Sequence, residues 1–240
     1  MTSKSDSIRS PNPWAKLPLF AGLDEATLAH LDRWMTRREV PRKETVLFKG
    51  SGGDHLLFLI EGRLQVVDVT EGGREVGLNL LMPGEYFGEL SIIDGQPRSA
   101  SVVAVEKSVV ALLPKPQAWE LFHRHPLVAQ RILTGLAEKL RNATNYQTIL
   151  CLPNAAQRVF ATLQRLCMTG PAGMVVIERP PKQHELAIMA NTSRESVSRA
   201  IKVLTEGRVV EKDRQRLIVR KPHMLQRMAT QDPGTESLPA

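Results

Sequence analysis

Up to about residue 113 the chain alternates short apolar runs with glycine-bearing polar breaks. The runs are TVLF (45–48), HLLFLIEGRLQVVDV (55–69), EVGLNLL (75–81), SVVAV (101–105) and SVVALL (108–113). Short segments of this kind, rich in Val, Leu and Ile and bounded by turn residues, predict β-strands, and EGG at 71–73 predicts a hairpin turn. The pattern as a whole predicts an all-β sandwich or roll. Helical patterns flank it, with Leu23, Leu28, Leu31 and Met35 near one face before it and Gln117 to Arg124 after it.

From Pro126 to Leu150 the period becomes helical. Leu133, Leu136, Leu140, Ala143, Gln147 and Leu150 follow one another at alternating steps of three and four, which is the seam of a coiled coil. A helix over this stretch would be about 37 Å long. Such a seam predicts a homodimer through residues 126–152; the alternative is that the helix packs on its own β domain.

Pro153 breaks the pattern, and AAQRVFATLQRLC opens a second domain with Ala156, Val159, Leu163 and Leu166 on one stripe. After an MVVIERPP strand and turn, KQHELAIMANTSRESVSRAIKVLTEGRVV (182–210) holds two helical patterns separated by Ala-Asn-Thr. Ser193 suits the N-cap of the second helix and Gly207 the position past its end. Val197, Ile201 and Leu204 share one face of that helix. Arg194, Glu195, Ser198, Arg199 and Lys202 share the opposite face, which must point outward. Residues 207–220, GRVVEKDRQRLIVR, set a basic turn between two apolar strands and predict a wing.

Composition and charge narrow the functions. The 240 residues carry 42% hydrophobic and 24% charged side chains, as soluble globular proteins do. Neither a secretory signal nor a long apolar run occurs, so a cytoplasmic protein without a membrane partner is expected. Cys151 and Cys167 are too few for a disulfide framework or a metal site. The net charge of +7 is unevenly placed: Lys and Arg number 18 against 17 Asp and Glu up to residue 152, 14 against 6 over 153–228, and 0 against 2 beyond. The positive excess therefore lies in the second domain, where it favours a polyanion such as nucleic acid.

The outward face of the 194–206 helix has the chemistry for base edges. Arginine offers paired donors to guanine, glutamate accepts from cytosine, and serine reaches bases or phosphates. In a helix-turn-helix the first turns of the second helix enter the major groove. TSRESVSRAIKVL moreover resembles the recognition helix of the cyclic-AMP receptor and fumarate-nitrate regulator superfamily, with its pattern Arg-Glu-x-x-(Gly or Ser)-Arg. The resemblance assigns Arg194, Glu195 and Arg199 as base readers, and Ser198 matches the serine of the fumarate-nitrate branch.

FGELSIIDGQPRSASV (87–102) resembles the phosphate-binding cassette of cyclic-nucleotide-binding domains, and VLFKGSGGDHLLFLIEGRLQV the hairpin region before it. Gly88 lets the backbone approach a ligand, and a short helix starting at Glu89, with Leu90 next, offers N–H groups to an anion. Arg98 adds a guanidinium fork and Ser99 a hydroxyl. The resemblance implies that Glu89 accepts from a ribose 2′-OH. An ion pair between Arg98 and Glu89 is the structural alternative. Alignment through LRNATNY puts Ala143 and Thr144 where the receptor branch uses Thr and Ser on the dimer helix to hold the ligand's base. Ala143 can make no such bond.

The resemblance covers roughly residues 17–225 and implies an α+β chain: a β-roll resembling the cyclic-nucleotide-binding jelly roll, a long dimerisation helix and a C-terminal winged helix-turn-helix. The expected boundaries are a disordered tail at 1–13, the β-roll with flanking helices at 14–125, the dimer helix at 126–152, the winged helix at 153–228 and a second disordered tail at 229–240. The implied function is ligand-responsive transcription regulation from a palindromic DNA site, with RNA polymerase as a further partner. A cyclic-AMP-like nucleotide is the expected effector, with no other cofactor, metal or catalytic residue. Cyclic di-GMP is a rival effector. Haem sensing through His30, His55, His123 or His125 and effector-independent action also stand as alternatives, whereas an iron–sulfur sensor lacks its N-terminal cysteines. A nucleotide-binding regulatory subunit acting on a protein partner is the alternative from another class.

Overall fold

The computed structural model describes residues 12–69, 75–170, 173–214 and 216–230. Most of both expected tails and the EGG turn lie outside the described residues. The chain divides into two compact units, residues 1–67 with 80–138, and residues 68–79 with 139–240.

The first unit opens with two 3-10 turns, Pro13–Lys16 and Pro18–Phe20, and helix α1 (Glu25–Asp32). Asp24 caps α1, its carboxylate accepting from the Thr27 N–H at 2.7 Å. Strands β1 (Thr36–Val40), β2 (Thr45–Leu47), β3 (His55–Glu61), β4 (Leu64–Val69), β5 (Glu75–Leu81) and β6 (Tyr86–Phe87) lead to the one-turn helix α2 (Leu90–Ile93). Strands β7 (Ser101–Ala104) and β8 (Ser108–Pro114) and helix α3 (Lys115–Arg124) follow, and then α4 (Pro126–Leu150); the division between units falls within α4 and also within β4 and β5, whose residues 68–69 and 75–79 group with the second unit.

The strands form two four-stranded sheets in the orders β1-β8-β3-β6 and β2-β7-β4-β5. The β1-β8, β8-β3, β3-β6, β2-β7 and β7-β4 pairs are antiparallel. Successive strand side chains point to opposite faces, and in β3 both faces are buried. Leu57 and Leu59 join Val40, Val46, Leu64, Phe87, Val102 and Val110 in one core. Leu56 and Phe58 join Trp14, Phe20, Leu31, Leu113, Leu121, Val128 and Ile132 under the helices. The unbroken HLLFLI run is thus a strand buried on both sides. β1 was not legible as a strand because four of its five residues are exposed.

Helix α4 spans the expected residues. Val128 and Ile132 are buried in the roll's core, and Gly135 faces the Tyr86 ring, where an added Cβ would collide with the phenolic oxygen. The heptad seam lies about a third of a turn away. Leu136 packs against the core, but Leu133 is 67% and Leu140 70% exposed, and Ala143 and Gln147 are exposed as well. The two readings of this helix therefore separate by face: one face packs on the β domain and another presents an uncovered apolar seam.

The second unit holds α5 (Ala155–Arg165), β9 (Met168–Thr169), β10 (Val175–Glu178), α6 (Gln183–Met189), α7 (Arg194–Glu206), β11 (Val210–Asp213), β12 (Arg216–Val219) and α8 (Pro222–Thr230). Its antiparallel sheet runs β11-β12-β10-β9. Val159, Phe160, Leu163, Leu186, Val197, Ala200, Leu204, Val219 and Leu225 make its core. Helix α8 continues to Thr230 with Ala229 buried, so ordered structure passes the expected boundary at 228. Asn12 likewise lies inside the first unit, its Oδ1 accepting from the Trp14 N–H at 2.9 Å. No described helix is long and apolar enough to cross a membrane.

Candidate ligand cassette and nucleic-acid interface

The cassette is assembled from backbone contacts. Gly50 N–H donates to the Arg98 carbonyl at 2.8 Å and Arg98 N–H donates to the Ser51 carbonyl at 2.9 Å, so the loop before β7 is pinned to the loop after β2. Gly53 packs against Ser91 of α2 so closely that a Cβ there would overlap it. Helix α2 begins at Leu90, one residue later than expected, with Glu89 at the N-cap. A single turn carries little macrodipole. The cassette's buried cation is the Arg98 side chain, and the Lys115 Nζ donates to the Ser91 carbonyl of α2 at 3.3 Å.

Arg98 is only 4% exposed. Its Nη1 donates to the Gly88 carbonyl at 2.6 Å and its Nη2 to the His55 carbonyl at 2.7 Å. Its Nε is buried with no partner among the described residues. Burial pulls the guanidinium pKa down, and the nearby charges of Asp54 and Glu89 oppose that shift. Gly88 is required twice over: its φ is +78°, and a side chain there would collide with Arg98 Nη1. The structure thus brings Gly88, Glu89 and Arg98 together, with Glu89 3% exposed. Leu90 is 41% exposed, and Ser99 is exposed. Thr144 lies on α4 in the second unit, exposed, with its hydroxyl donating back to the Leu140 carbonyl at 3.2 Å.

Asp54 and the His55 carbonyl were missed from sequence. The carbonyl is a backbone group that any residue would supply, and Asp54 acts on Arg98 through charge across the fold.

In the second unit α6, the Ala190–Ser193 turn and α7 form a helix-turn-helix. Glu185 accepts from the Lys182 N–H at 2.9 Å at the start of α6, and Asn191 takes a left-handed φ of +45° in the turn. Ser193 caps α7 as expected, its Oγ accepting from the Ser196 N–H at 3.2 Å. At the other end Gly207 is the C-cap with a φ of −72°, and Arg208 takes the left-handed position at +52°. Gly207 serves close approach instead, since a Cβ would lie 3.2 Å from the Val203 carbonyl. The inward face consists of Val197, Ala200 and Leu204, with Ile201 partly buried.

Arg194, Glu195, Ser198, Arg199 and Lys202 are all exposed. The Glu195 carboxyl is held below the usual carboxylate range, chiefly by its own backbone N–H at the helix start, then by Ser193, Arg194 and Arg199. It stays ionised as an acceptor at neutral pH. Lys202 makes a loose ion pair with Glu206 at 3.7 Å. In the β11–β12 hairpin Arg216 pairs with Asp213 and Arg220 with Glu211, both at 2.8 Å. Two of the wing's cations are therefore already partnered within the hairpin.

Comparison with known proteins matches each half separately. Residues 37–125 match the family model of the cyclic nucleotide-binding domain, and residues 157–228 that of the Crp-like helix-turn-helix domain. A cyclic AMP receptor protein of Thermus thermophilus is 35% identical over 212 residues, covering 88% of this chain and 96% of that protein. The structure of FixK2 from Bradyrhizobium japonicum superposes with a TM-score of 0.69 at 18% identity, covering 82% of this chain and 98% of that one. A c-di-GMP-responsive global regulator from Xanthomonas campestris gives 0.62 at 21% identity, covering 82% and 99%. At these identities the two structures support the fold.

Proposed function

The chain belongs to the cyclic-AMP receptor and fumarate-nitrate regulator superfamily of DNA-binding transcription regulators, and from that premise we propose that it is a homodimeric, cytoplasmic regulator whose affinity for a palindromic promoter site is set by a cyclic nucleotide in the β-roll. The observation that carries the ligand reading is Arg98. A buried guanidinium with an unpartnered Nε–H costs free energy that an anion at that donor offsets. Glu89 at the N-cap of α2 would take the ribose hydroxyl, and Gly88, Leu90 and Ser99 would line the phosphate side. Thr144 would face the base.

Effector occupancy would favour one register of two paired α4 helices, packed through Leu133, Leu136 and Leu140. That register sets the separation of two α7 helices, which must enter major grooves about 34 Å apart. Arg194, Glu195 and Arg199 would read base edges, with Ser198 and Lys202 reaching bases or phosphates, and RNA polymerase would receive the output.

Ala143 favours a second reading. It is exposed at the position where a base contact is expected and has no polar side-chain atom, so a larger ligand such as cyclic di-GMP, held by its phosphates, is the rival. Calorimetric titration with cyclic AMP, cyclic GMP and cyclic di-GMP, repeated on Arg98→Lys, tests both. Saturable binding of one of them, lost in the variant, supports the cassette and names the signal. Binding of none overturns the cyclic-nucleotide reading and leaves the family assignment in place.

A further inference from the structure

Arg158 occupies the fourth position of α5, in a stretch whose sequence reads mainly as an apolar stripe. All three of its side-chain nitrogens donate to backbone carbonyls. Nη1 reaches Leu152 at 2.9 Å and Pro153 at 3.3 Å, just beyond the end of α4. Nε reaches Ala190 at 3.0 Å and Nη2 reaches Asn191 at 3.3 Å, at the end of α6 and in the turn before the recognition helix.

Ala190 is the C-cap of α6, and Asn191 is the turn's left-handed residue. The Ala190 carbonyl sits at the C-terminal end of α6, where a carbonyl lacks an intrahelical donor, and the Leu152 and Pro153 carbonyls lie in the link just past α4. One guanidinium therefore ties that link to the end of α6. Arginine's planar fork can span both at once, whereas a lysine ammonium is a point charge that serves one cluster. The joint has a second point two turns along α5, where the Arg165 guanidinium lies 5.8 Å from the centre of the Tyr146 ring of α4.

We propose that Arg158 is a positioning residue that sets the direction of the helix-turn-helix relative to the end of α4, and through it the half-site spacing the protein accepts. This rests on the homodimeric DNA-reading function proposed above. Arg158 touches no base; it acts by holding the turn from which α7 starts. Without it the domain core, built from Val159, Phe160, Leu163 and their neighbours, still packs. What is lost is the coupling of that core to the helix before it.

The test uses the full-length protein and a palindrome that it selects from random DNA, with spacers lengthened or shortened by one and two base pairs. Each base pair turns one half-site against the other by about 34°. Affinities are measured with and without cyclic AMP, and thermal melting is followed in parallel. For the wild type a one-base-pair change should cost about tenfold or more, as a lost specific contact does. For Arg158→Lys and Arg158→Gln the penalty should shrink to about threefold or less, with both variants still melting cooperatively, at a somewhat lower temperature than the wild type. Unchanged spacing discrimination in both variants overturns the proposal, as does an equal loss of affinity at every spacing, which is what a purely structural role gives. A wild type indifferent to spacing overturns the homodimer reading together with this one.

Discussion

The cassette and the recognition helix use the same side chain in opposite ways. Arg98 is buried, bonded to the Gly88 and His55 carbonyls and desolvated, whereas Arg194 and Arg199 stand exposed on α7. A buried cation is fixed in one geometry and can distinguish one small anion from another. An exposed one costs little to keep, stays hydrated until a partner arrives, and suits a long polyanion. On the proposed function, burial more than residue type divides the sensing arginine from the reading ones.

The largest effect expected from breaking that contrast is at Arg98. Arg98→Ala removes the cation and leaves two carbonyls without donors, costing about 2–4 kcal/mol of stability. Denaturant unfolding of the first unit measures this, and the response to effector should vanish at the same time. Arg98→Lys keeps the charge but cannot reach both carbonyls, so it should lose the effector with a smaller loss of stability. Stability unchanged in the alanine variant would mean that the carbonyl bonds are not what holds the cassette.

Next in size is the exposed counterpart. Arg199→Ala should leave melting unchanged and cost about 1–3 kcal/mol in affinity for the selected palindrome, with preference relaxed at one base position. Competition binding against scrambled DNA checks it. An equal loss on both DNAs would reduce Arg199 to a phosphate contact.

The roll's interior offers a third test at Tyr86. Its phenol is pushed up to about 12, first by burial and then by Glu89 and Glu138. A folded-state pKa above the unfolded value near 10 contributes stability that is complete below pH 10 and lost as pH rises toward 12. Tyr86→Phe should remove that alkaline loss, as read from melting temperature against pH. It should also relieve Gly135→Ala, which alone forces a methyl onto the phenolic oxygen and should cost about 1–3 kcal/mol. Additive effects in the double variant would show that the collision is avoided elsewhere.

How much of this was legible in the sequence follows from where each signal resides. Strands β3, β4, β7 and β8 announced themselves because burial imposes apolar periodicity, whereas α4 was legible from a heptad seam whose Leu133 and Leu140 stand exposed. β1, with Arg37, Arg38 and Glu39 on an exposed strand, had no such period. The helix-turn-helix was readable because Ser193, the inward Val197 and Leu204 and the outward charges are all local. Arg98 was readable as a residue, but its carbonyl partners 10 and 43 positions away were not, because nothing in a side-chain pattern marks a backbone acceptor. Arg158 was missed for the same reason, all four of its acceptors being main-chain carbonyls. Gly207 was placed correctly while its reason was not, since the left-handed turn falls on Arg208.

The smallest expected effect sharpens the comparison from the reading side. Lys202 lies further along α7 than Arg199, with its side chain 73% exposed and only a loose pair to Glu206. An exposed pair one helical turn apart contributes about 0.3–0.5 kcal/mol at most, so Lys202→Ala should leave melting unchanged within error. If Lys202 meets a phosphate, affinity for palindrome and scrambled DNA should fall by the same factor. The slope of log affinity against log salt should then become shallower by about one for each lysine removed. A selective loss on the palindrome with no change in slope would move Lys202 into the base-reading set proposed for Arg194, Glu195 and Arg199. The reading surface would then extend a further turn along the helix, and the contrast with a cassette built around one buried cation would widen.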